Sequence, residues 1–273
     1  MTTKYAGFIG LGNIGRPMAQ HLNTSDFPLM VFDHFPEAMA SLVEAGAKAA
    51  SNAAEIAQYC NYIGLCVRDD NDVNDLLYGD QGILEYSTAG TLIAIHSTVT
   101  QASLLRWASD AAAKDIHLID APMTGGANGA EAGTLCYMVG GESAQIEQCR
   151  PYLNTSAAKI IHAGNLGAGI ALKLCNNLIT YSQFTAMSEA TRLAEACGLS
   201  AEVLREVGKE NGVINEQMYM FISNRNALAA NGDQATIDKY MGPMGLLGEK
   251  DLNCALTTAA DLQLSLPATE VIR

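Results

Sequence analysis

One lysine, one amide and two glycine-rich turns are the residues of this chain whose types and spacing could do chemistry. Lys173 lies in Gly167-Ala-Gly-Ile-Ala-Leu-Lys173-Leu-Cys-Asn176-Asn177, a stretch with helix spacing and few charges. Lys173 and Asn177, at i and i+4, share one helical face, and Gly169 and Asn165 continue that stripe backwards. Flanked by Ile170, Leu172, Leu174 and Leu178, the ammonium reads as partly buried. A desolvated Lys gives up its proton more readily, which suits acid/base work. Taken by itself, the helix fits better a Lys that lays its stem along apolar surface and keeps its charge in water.

Phe8-Ile9-Gly10-Leu11-Gly12-Asn13-Ile14-Gly15 is a G-x-G-x-x-G that follows a strand pattern and opens a helix. Gly10 permits the tight turn, Gly12 lets backbone approach a pyrophosphate, and Gly15 allows close helix–strand contact. The helix start offers N–H groups and a positive dipole end to phosphates. Asp33 closes the next strand, 21 residues after Gly12 (33 − 12). A carboxylate there accepts hydrogen bonds from ribose hydroxyls and repels a 2′-phosphate, so NAD is expected over NADP. The adjacent His34, when protonated, would soften that repulsion, and Asp33 fits also as an N-cap for the helix at Pro36. The second turn, Asp120-Ala-Pro-Met-Thr124-Gly125-Gly126, offers a hydroxyl and exposed backbone N–H groups to a small carboxylate.

Alternating elements must position these groups. Apolar runs at 6–9, 29–32, 62–67, 92–95 and 116–119 read as strands, and 16–23, 36–45, 53–59, 72–77 and 101–113 as helices. Such alternation predicts a doubly wound parallel sheet covered on both faces, the Rossmann type of α/β fold. Two more strands, 134–139 and 159–162, flank a helix at 143–153. Beyond 163 only helices are predicted: 167–197 with Gly198 as C-cap, then 201–209, 215–222, 236–240 and 246–260. The expected domains are therefore 1–163, dinucleotide-binding, and 164–273, all-helical, joined by a long helix.

A net charge of −13 argues against a nucleic-acid partner. The seven Cys residues contain no Cys-x-x-Cys, so neither a metal site nor a disulfide framework is expected. Reduced thiols, no leader before the first strand and no membrane-spanning run predict a cytoplasmic protein with no membrane partner.

Four motifs in order make the chain resemble the β-hydroxyacid dehydrogenase family, across essentially its whole length. They are Gly10–Gly15, Asp120–Gly126, Gly167–Asn177 and Lys250-Asp251-Leu252, with Gly133-Thr-Leu-Cys-Tyr-Met-Val-Gly-Gly141 as a further match. The resemblance implies hydride exchange between NAD(P) and a small carboxylate-bearing substrate, a 3-hydroxy acid similar to 3-hydroxyisobutyrate. Lys173 would be the general acid/base and Asn177 its partner, with Thr124, Gly125 and Gly126 on the carboxylate. Gly10, Leu11, Gly12, Asn13, Ile14, Gly15, Asp33 and His34 would meet the cofactor. Val67, Arg68 and Asp72 would lie by its adenosine or ribose, and Thr98 and Lys250 by the nicotinamide half. Arg68 fits equally a solvated surface charge, and Lys250 a surface Lys paired with Glu249 or Asp251. The resemblance also implies a homodimer or homotetramer built through the helical domain.

Departures from the family pattern are Ile14 for Met, Met123-Thr124 for Val-Ser, and a polar Asn128 where an aliphatic residue is expected. Relatives continue through another helix after the 266–269 segment, which implies a chain trimmed at that end. Reductases of tartronate, succinic or sulfolactaldehyde-type semialdehydes would use the same Lys and carboxylate grip. Imine reductases share the architecture and generally lack the Lys. A non-catalytic dinucleotide-binding oligomerisation module is the reading from another class, and retention of Lys173 with Asn177 disfavours it.

Overall fold

The structure, a computed structural model, describes residues 5–23 and 27–273. The leading Met1–Lys4, with which the sequence enters its first strand, lie outside the described residues. Two compact units divide the chain, Met1–Lys173 and Leu174–Arg273. The break falls inside a helix, ten residues beyond the 163/164 position expected from the change of pattern. The physical reason is that the first turn of that helix is bonded to the sheet, as described below.

In the first unit, β1 (Tyr5–Ile9), α1 (Gly15–Leu22), β2 (Leu29–Phe32), α2 (Pro36–Glu44) and the short β3 (Lys48–Ala49) wind in one direction. The chain then returns through α3 (Ala53–Tyr59) to β4 (Cys60–Leu65), α4 (Asp70–Tyr78), α5 (Ile83–Tyr86), β5 (Leu92–Ile95), α6 (Gln101–Ala112) and β6 (His117–Asp120). The strand order is β3-β2-β1-β4-β5-β6, all parallel, so the winding reverses between β1 and β4. Phe8 sits opposite Val31 on one side and Gly64 on the other. Strands buried on both faces read as continuous apolar runs, and Leu92, Ile93, Ala94 and Ile95 are all buried.

Past β6 the sheet changes character. β7 (Met123–Thr124), α7 (Gly126–Glu131), β8 (Leu135–Gly140), α8 (Ser143–Asn154) and β9 (Ala157–Gly164) follow. β8 runs antiparallel to β6 and β7, and β9 pairs parallel with β8. The sequence signals β8 and β9 as strands but not this reversal, which the β7–α7 connection makes at the sheet edge. Phe8, Leu29, Val31, Ile119, Tyr137, Val139 and Leu153 belong to one continuous core. Within it, His96 stacks on Phe8 and Tyr152, and its Nδ1 lies 2.9 Å from the Ala121 carbonyl.

The long α9 (Ala168–Ala196) leads out of the first unit, and the second is helical throughout its described residues. α9 ends at Gly198, whose φ of +77° is the left-handed conformation a glycine C-cap supplies. α10 (Ala201–Glu210), α11 (Glu216–Asn231), α12 (Gln234–Asp261) and α13 (Pro267–Ile272) follow. Ser200, Asn215 and Asp233 cap α10, α11 and α12 by accepting first-turn backbone N–H groups. α12 runs unbroken across the 241–245 gap expected from Gly242-Pro243-Met244-Gly245, because a proline inside a helix removes one N–H bond and leaves the other turns intact. Met187, Ile214, Met218 and Ile222 form a small core. Among the described residues no helix is long and apolar enough to cross a membrane.

Candidate active site

The loops after β1, β2, β4, β5 and β6 emerge at the carboxyl edge of the parallel strands, beside the point where the winding reverses. Ligands of open α/β sheets bind there. In the first of these loops Gly10 has φ +91°, and a Cβ on it would meet the Cys66 carbonyl oxygen at 2.3 Å. A Cβ on Gly15 would stand 2.0 Å from the Gly10 carbonyl oxygen, so α1 can start against β1 only through glycine. Gly12 differs: nothing lies within 4 Å of the position its Cβ would take. Its lack of a side chain leaves open space rather than relieving a clash, which is what close approach of a pyrophosphate requires. Gly12 and Asn13 are exposed, Leu11 is buried and Ile14 half-buried. No side chain caps the N-terminus of α1. The loop therefore fits a dinucleotide.

Asp33, at the end of β2, is half-buried and accepts the Leu11 N–H at Oδ2 (2.7 Å) and the Phe35 N–H at Oδ1 (2.9 Å). It ties the second strand to the phosphate loop. Phe35, not Asp33, occupies the N-cap position of α2. Each carboxylate oxygen can accept more than one bond, so ribose hydroxyls still find acceptors. His34 is exposed and packs edge-on against Phe32. After β4, Val67 N–H donates to Ser97 Oγ (2.8 Å), and this joins the Val67 loop to the half-buried Thr98. Arg68 is mostly exposed and forks onto Asp72 with bonds of 2.8 and 2.7 Å. That guanidinium holds the Asp72 carboxyl below the usual carboxylate range.

The turn after β6 and the start of α9 meet. Thr124, in β7, pairs with Cys136 of β8, while Gly125 and Gly126 have φ +131° and +63°, conformations that disfavour any side chain. Lys173 is half-buried between the buried Ile170 and Leu174, and its Nζ donates to the Met123 carbonyl at 2.8 Å. The proton-bearing nitrogen thus sits at the backbone of the residue that precedes Thr124-Gly125-Gly126. The fully buried Asp120 accepts the Gly167 and Ile170 N–H groups at 2.8 and 2.7 Å. Burial pushes its carboxyl upward, against the lowering effect of these amides.

In the second unit Asn177 is buried and its Nδ2 donates to Asp251 Oδ2 (2.7 Å), which also accepts the Tyr181 hydroxyl (3.2 Å). Lys250 Nζ lies 2.8 Å from Asp251 Oδ1. Asn177 and Lys250, two residues singled out from the sequence, are thus gathered on one buried carboxylate. Burial, and then the nearby Asp251 charge, raise the Tyr181 hydroxyl above its ordinary range.

Sequence reasoning passed over Asp120, Ser97 and the bridging role of Asp251. Asp120 did carry a signal, a carboxylate closing an otherwise apolar buried strand. Ser97 and Asp251 act through partners 30 and 74 residues away, and nothing local marks them.

Comparison with known proteins supports the same reading. Residues 5–164 match the family model for the NAD binding domain of 6-phosphogluconate dehydrogenase, and residues 167–273 that for the NAD-binding domain of NADP-dependent 3-hydroxyisobutyrate dehydrogenase. The chain is 35% identical to 2-(hydroxymethyl)glutarate dehydrogenase of Eubacterium barkeri over 96% of its own length and 85% of that protein's. It is 34% identical to 3-hydroxyisobutyrate dehydrogenase of Pseudomonas aeruginosa, covering 97% and 89%. Among solved structures, Mycobacterium tuberculosis 3-hydroxyisobutyrate dehydrogenase with L-serine superposes with a TM-score of 0.81 at 28% identity, covering 99% of this chain and 91% of that one. With both halves matched in order and relatives this similar along nearly the whole chain, the protein belongs to the β-hydroxyacid dehydrogenase family of NAD(P)-dependent oxidoreductases.

Proposed function

We propose that this enzyme interconverts a small 3-hydroxy acid and its semialdehyde, with Lys173 as general acid/base. The observation that carries the reading is the 2.8 Å bond from Lys173 Nζ to the Met123 carbonyl, next to the Thr124-Gly125-Gly126 turn. It puts an amine beside a turn suited to a carboxylate, which supports proton transfer by Lys173. Bound NAD(P) supplies the hydride acceptor for oxidation and the donor for reduction. In oxidation, neutral Lys173 takes the substrate hydroxyl proton. In reduction, its ammonium protonates the developing alkoxide. Thr124 Oγ1 and the Gly125 and Gly126 N–H groups grip the carboxylate. Asn177 is assigned to the substrate hydroxyl or to Lys173, and Lys250 to the nicotinamide half, both on the family motif.

Chemistry shared by relatives supports the substrate class. 3-Hydroxyisobutyrate, 2-(hydroxymethyl)glutarate and L-serine all carry a hydroxymethyl group on the carbon that bears the carboxylate. L-serine is also the substrate named for a 34%-identical NAD-dependent dehydrogenase of Pseudomonas aeruginosa. The exposed Asn128, three residues past Gly125, favours a polar substituent such as that of serine or glycerate as the second reading. Asp33 supports NAD over NADP. The resemblance supports a first unit that binds the dinucleotide and a helical second unit that shapes the substrate site and assembles a homodimer or homotetramer. Seven scattered cysteines with no Cys-x-x-Cys support a cytoplasmic protein.

The test is reduction of NAD and NADP with 3-hydroxyisobutyrate, L-serine, 2-(hydroxymethyl)glutarate, glycerate, 4-hydroxybutyrate and threonate. At least one hydroxymethyl acid should turn over, with higher kcat/KM for NAD. Lys173→Met should lower kcat by about 10²–10⁴-fold with NADH binding retained. Wild-type turnover by that variant would remove Lys173 from the chemistry. Silence with every acid alongside NADH binding would favour the non-catalytic module.

A further inference from the structure

The helix that carries Lys173 starts directly on the sheet, and two glycines make that possible. A Cβ on Gly169 would fall 2.3 Å from the Met138 carbonyl oxygen and 2.8 Å from Asp120 Oδ2. A Cβ on Gly140, the residue paired with Asp120 across β6 and β8, would fall 2.4 Å from Asp120 Oδ1. The Asp120 carboxylate is therefore enclosed between the β8 backbone and the first turn of α9. Its two oxygens take the Gly167 and Ile170 N–H groups, which belong to the donors a helix start leaves without intrahelical partners. An anion at this end is also favoured by the helix dipole.

Asp120 closes β6, and three residues later comes the Met123 carbonyl that receives Lys173 Nζ. Ile170, bonded to Asp120, precedes Lys173 by three residues, so both lie on neighbouring turns of one helix face. Two bonds to Asp120 and one from Lys173 thus stitch four residues of one strand and turn, 120–123, to residues 167–173, Gly167 and the start of α9. We propose that Asp120 is a positioning residue for catalysis: its carboxylate fixes the origin of α9 so that Lys173 presents its nitrogen to the Met123–Gly126 turn. This rests on Lys173 being the proton-transfer group.

The test is a cycle of Asp120→Asn, Lys173→Ala and the double variant in the full chain, assayed with NAD and the best-used acid among 3-hydroxyisobutyrate and L-serine. Asp120→Asn should lose about 10²-fold in kcat, the scale of a slight misplacement of a reacting group, with KM for NAD and NADH affinity unchanged. The double variant should be no slower than Lys173→Ala. Methylamine added to the buffer should restore turnover to Lys173→Ala and to the double variant equally, because an untethered amine does not depend on the helix. Wild-type kcat from Asp120→Asn, or a double variant slower than Lys173→Ala by the full Asp120 factor, overturns the proposal. Wild-type turnover from Lys173→Ala instead overturns the reading of Lys173 on which it rests. Should Asp120→Asn fail to fold, Gly169→Ala displaces the same turn with the carboxylate intact. It should reproduce the kcat loss, and normal kcat from it also refutes the proposal.

Discussion

The two units of this chain solve the burial problem differently. The first wraps a sheet whose central strands are apolar on both faces, and it hides Phe8, Trp107 and the whole of β5. The second has a small core around Met187, Ile214, Met218 and Ile222, and leaves Leu193 and Leu246 more than two-thirds exposed. Val207, Leu262, Leu264 and Val271 are exposed as well. The first unit holds the glycine-rich loop after β1, the Thr124–Gly126 turn and Lys173 on a scaffold with its own core. The exposed apolar side chains of the second unit support the proposed homo-oligomer. Each unit also gathers polar groups on a buried carboxylate: Asp120 takes backbone N–H groups in the first, and Asp251 takes side chains in the second.

The largest effect that would break this comparison is at Asp251. Asp251→Ala removes the ion pair to Lys250 and the shared acceptor of Asn177 and Tyr181, at a cost of about 3 kcal/mol. The denaturation midpoint should fall, with amides of the second unit losing hydrogen-exchange protection ahead of those in the sheet. An unchanged midpoint would mean that the network contributes nothing.

A loss of similar size is expected in the first unit in acid. Burial lowers the His96 imidazole from 6.5 to about 4. The unfolded chain binds this proton first as pH falls, so the stability His96 contributes is complete above about pH 6.5 and is lost between there and about 4. That loss is about 3 kcal/mol, and His96→Gln should flatten the slope of stability against pH over this window. A slope equal to wild type in the variant would assign acid sensitivity elsewhere.

Two glycines of the phosphate loop sharpen the contrast between folding and binding within the first unit. Gly12→Ala adds a methyl to open space, so Tm should hold while NADH binding weakens about tenfold, near 1.4 kcal/mol. Gly15→Ala should instead destabilise the unit, since its Cβ collides with the Gly10 carbonyl. Equal NADH affinity for Gly12→Ala and wild type would remove Gly12 from the pyrophosphate site. The smallest effect is Leu246→Arg, expected to change chain stability by less than about 0.5 kcal/mol yet lower the mass seen by sedimentation velocity. An unchanged mass would place the assembly face elsewhere.

Much of the scaffold could be read in one dimension because its signals are local. Continuous apolar runs marked β1, β2, β4 and β5, and the G-x-G-x-x-G spacing marked a turn that positive φ and close carbonyls then demand of Gly10 and Gly15. Gly198 announced the end of α9 in the same way. The reversal at β8 and the unbroken α12 escaped notice, since strand direction and tolerance of Pro243 depend on what packs alongside. The candidate site divides along the same line. Residue types and spacing proposed Lys173 and the Thr124 turn separately, yet neither pattern says that they touch.

The sequence by itself determined the alternation of elements, the cofactor loop, the family and the residues worth suspecting. Apart from the family, which took four motifs in order along the chain, these depend on spacing within about one element and its neighbours, where chain connectivity already sets the geometry. The tertiary structure decided which suspects meet. Lys173 reaches Met123 and Gly167 reaches Asp120 across 50 and 47 residues, and Asn177 reaches Asp251 across 74. Contacts of that range are closed by packing of the whole unit, and burial of a carboxylate such as Asp120 requires the hydrogen bonds that only the folded chain brings to it.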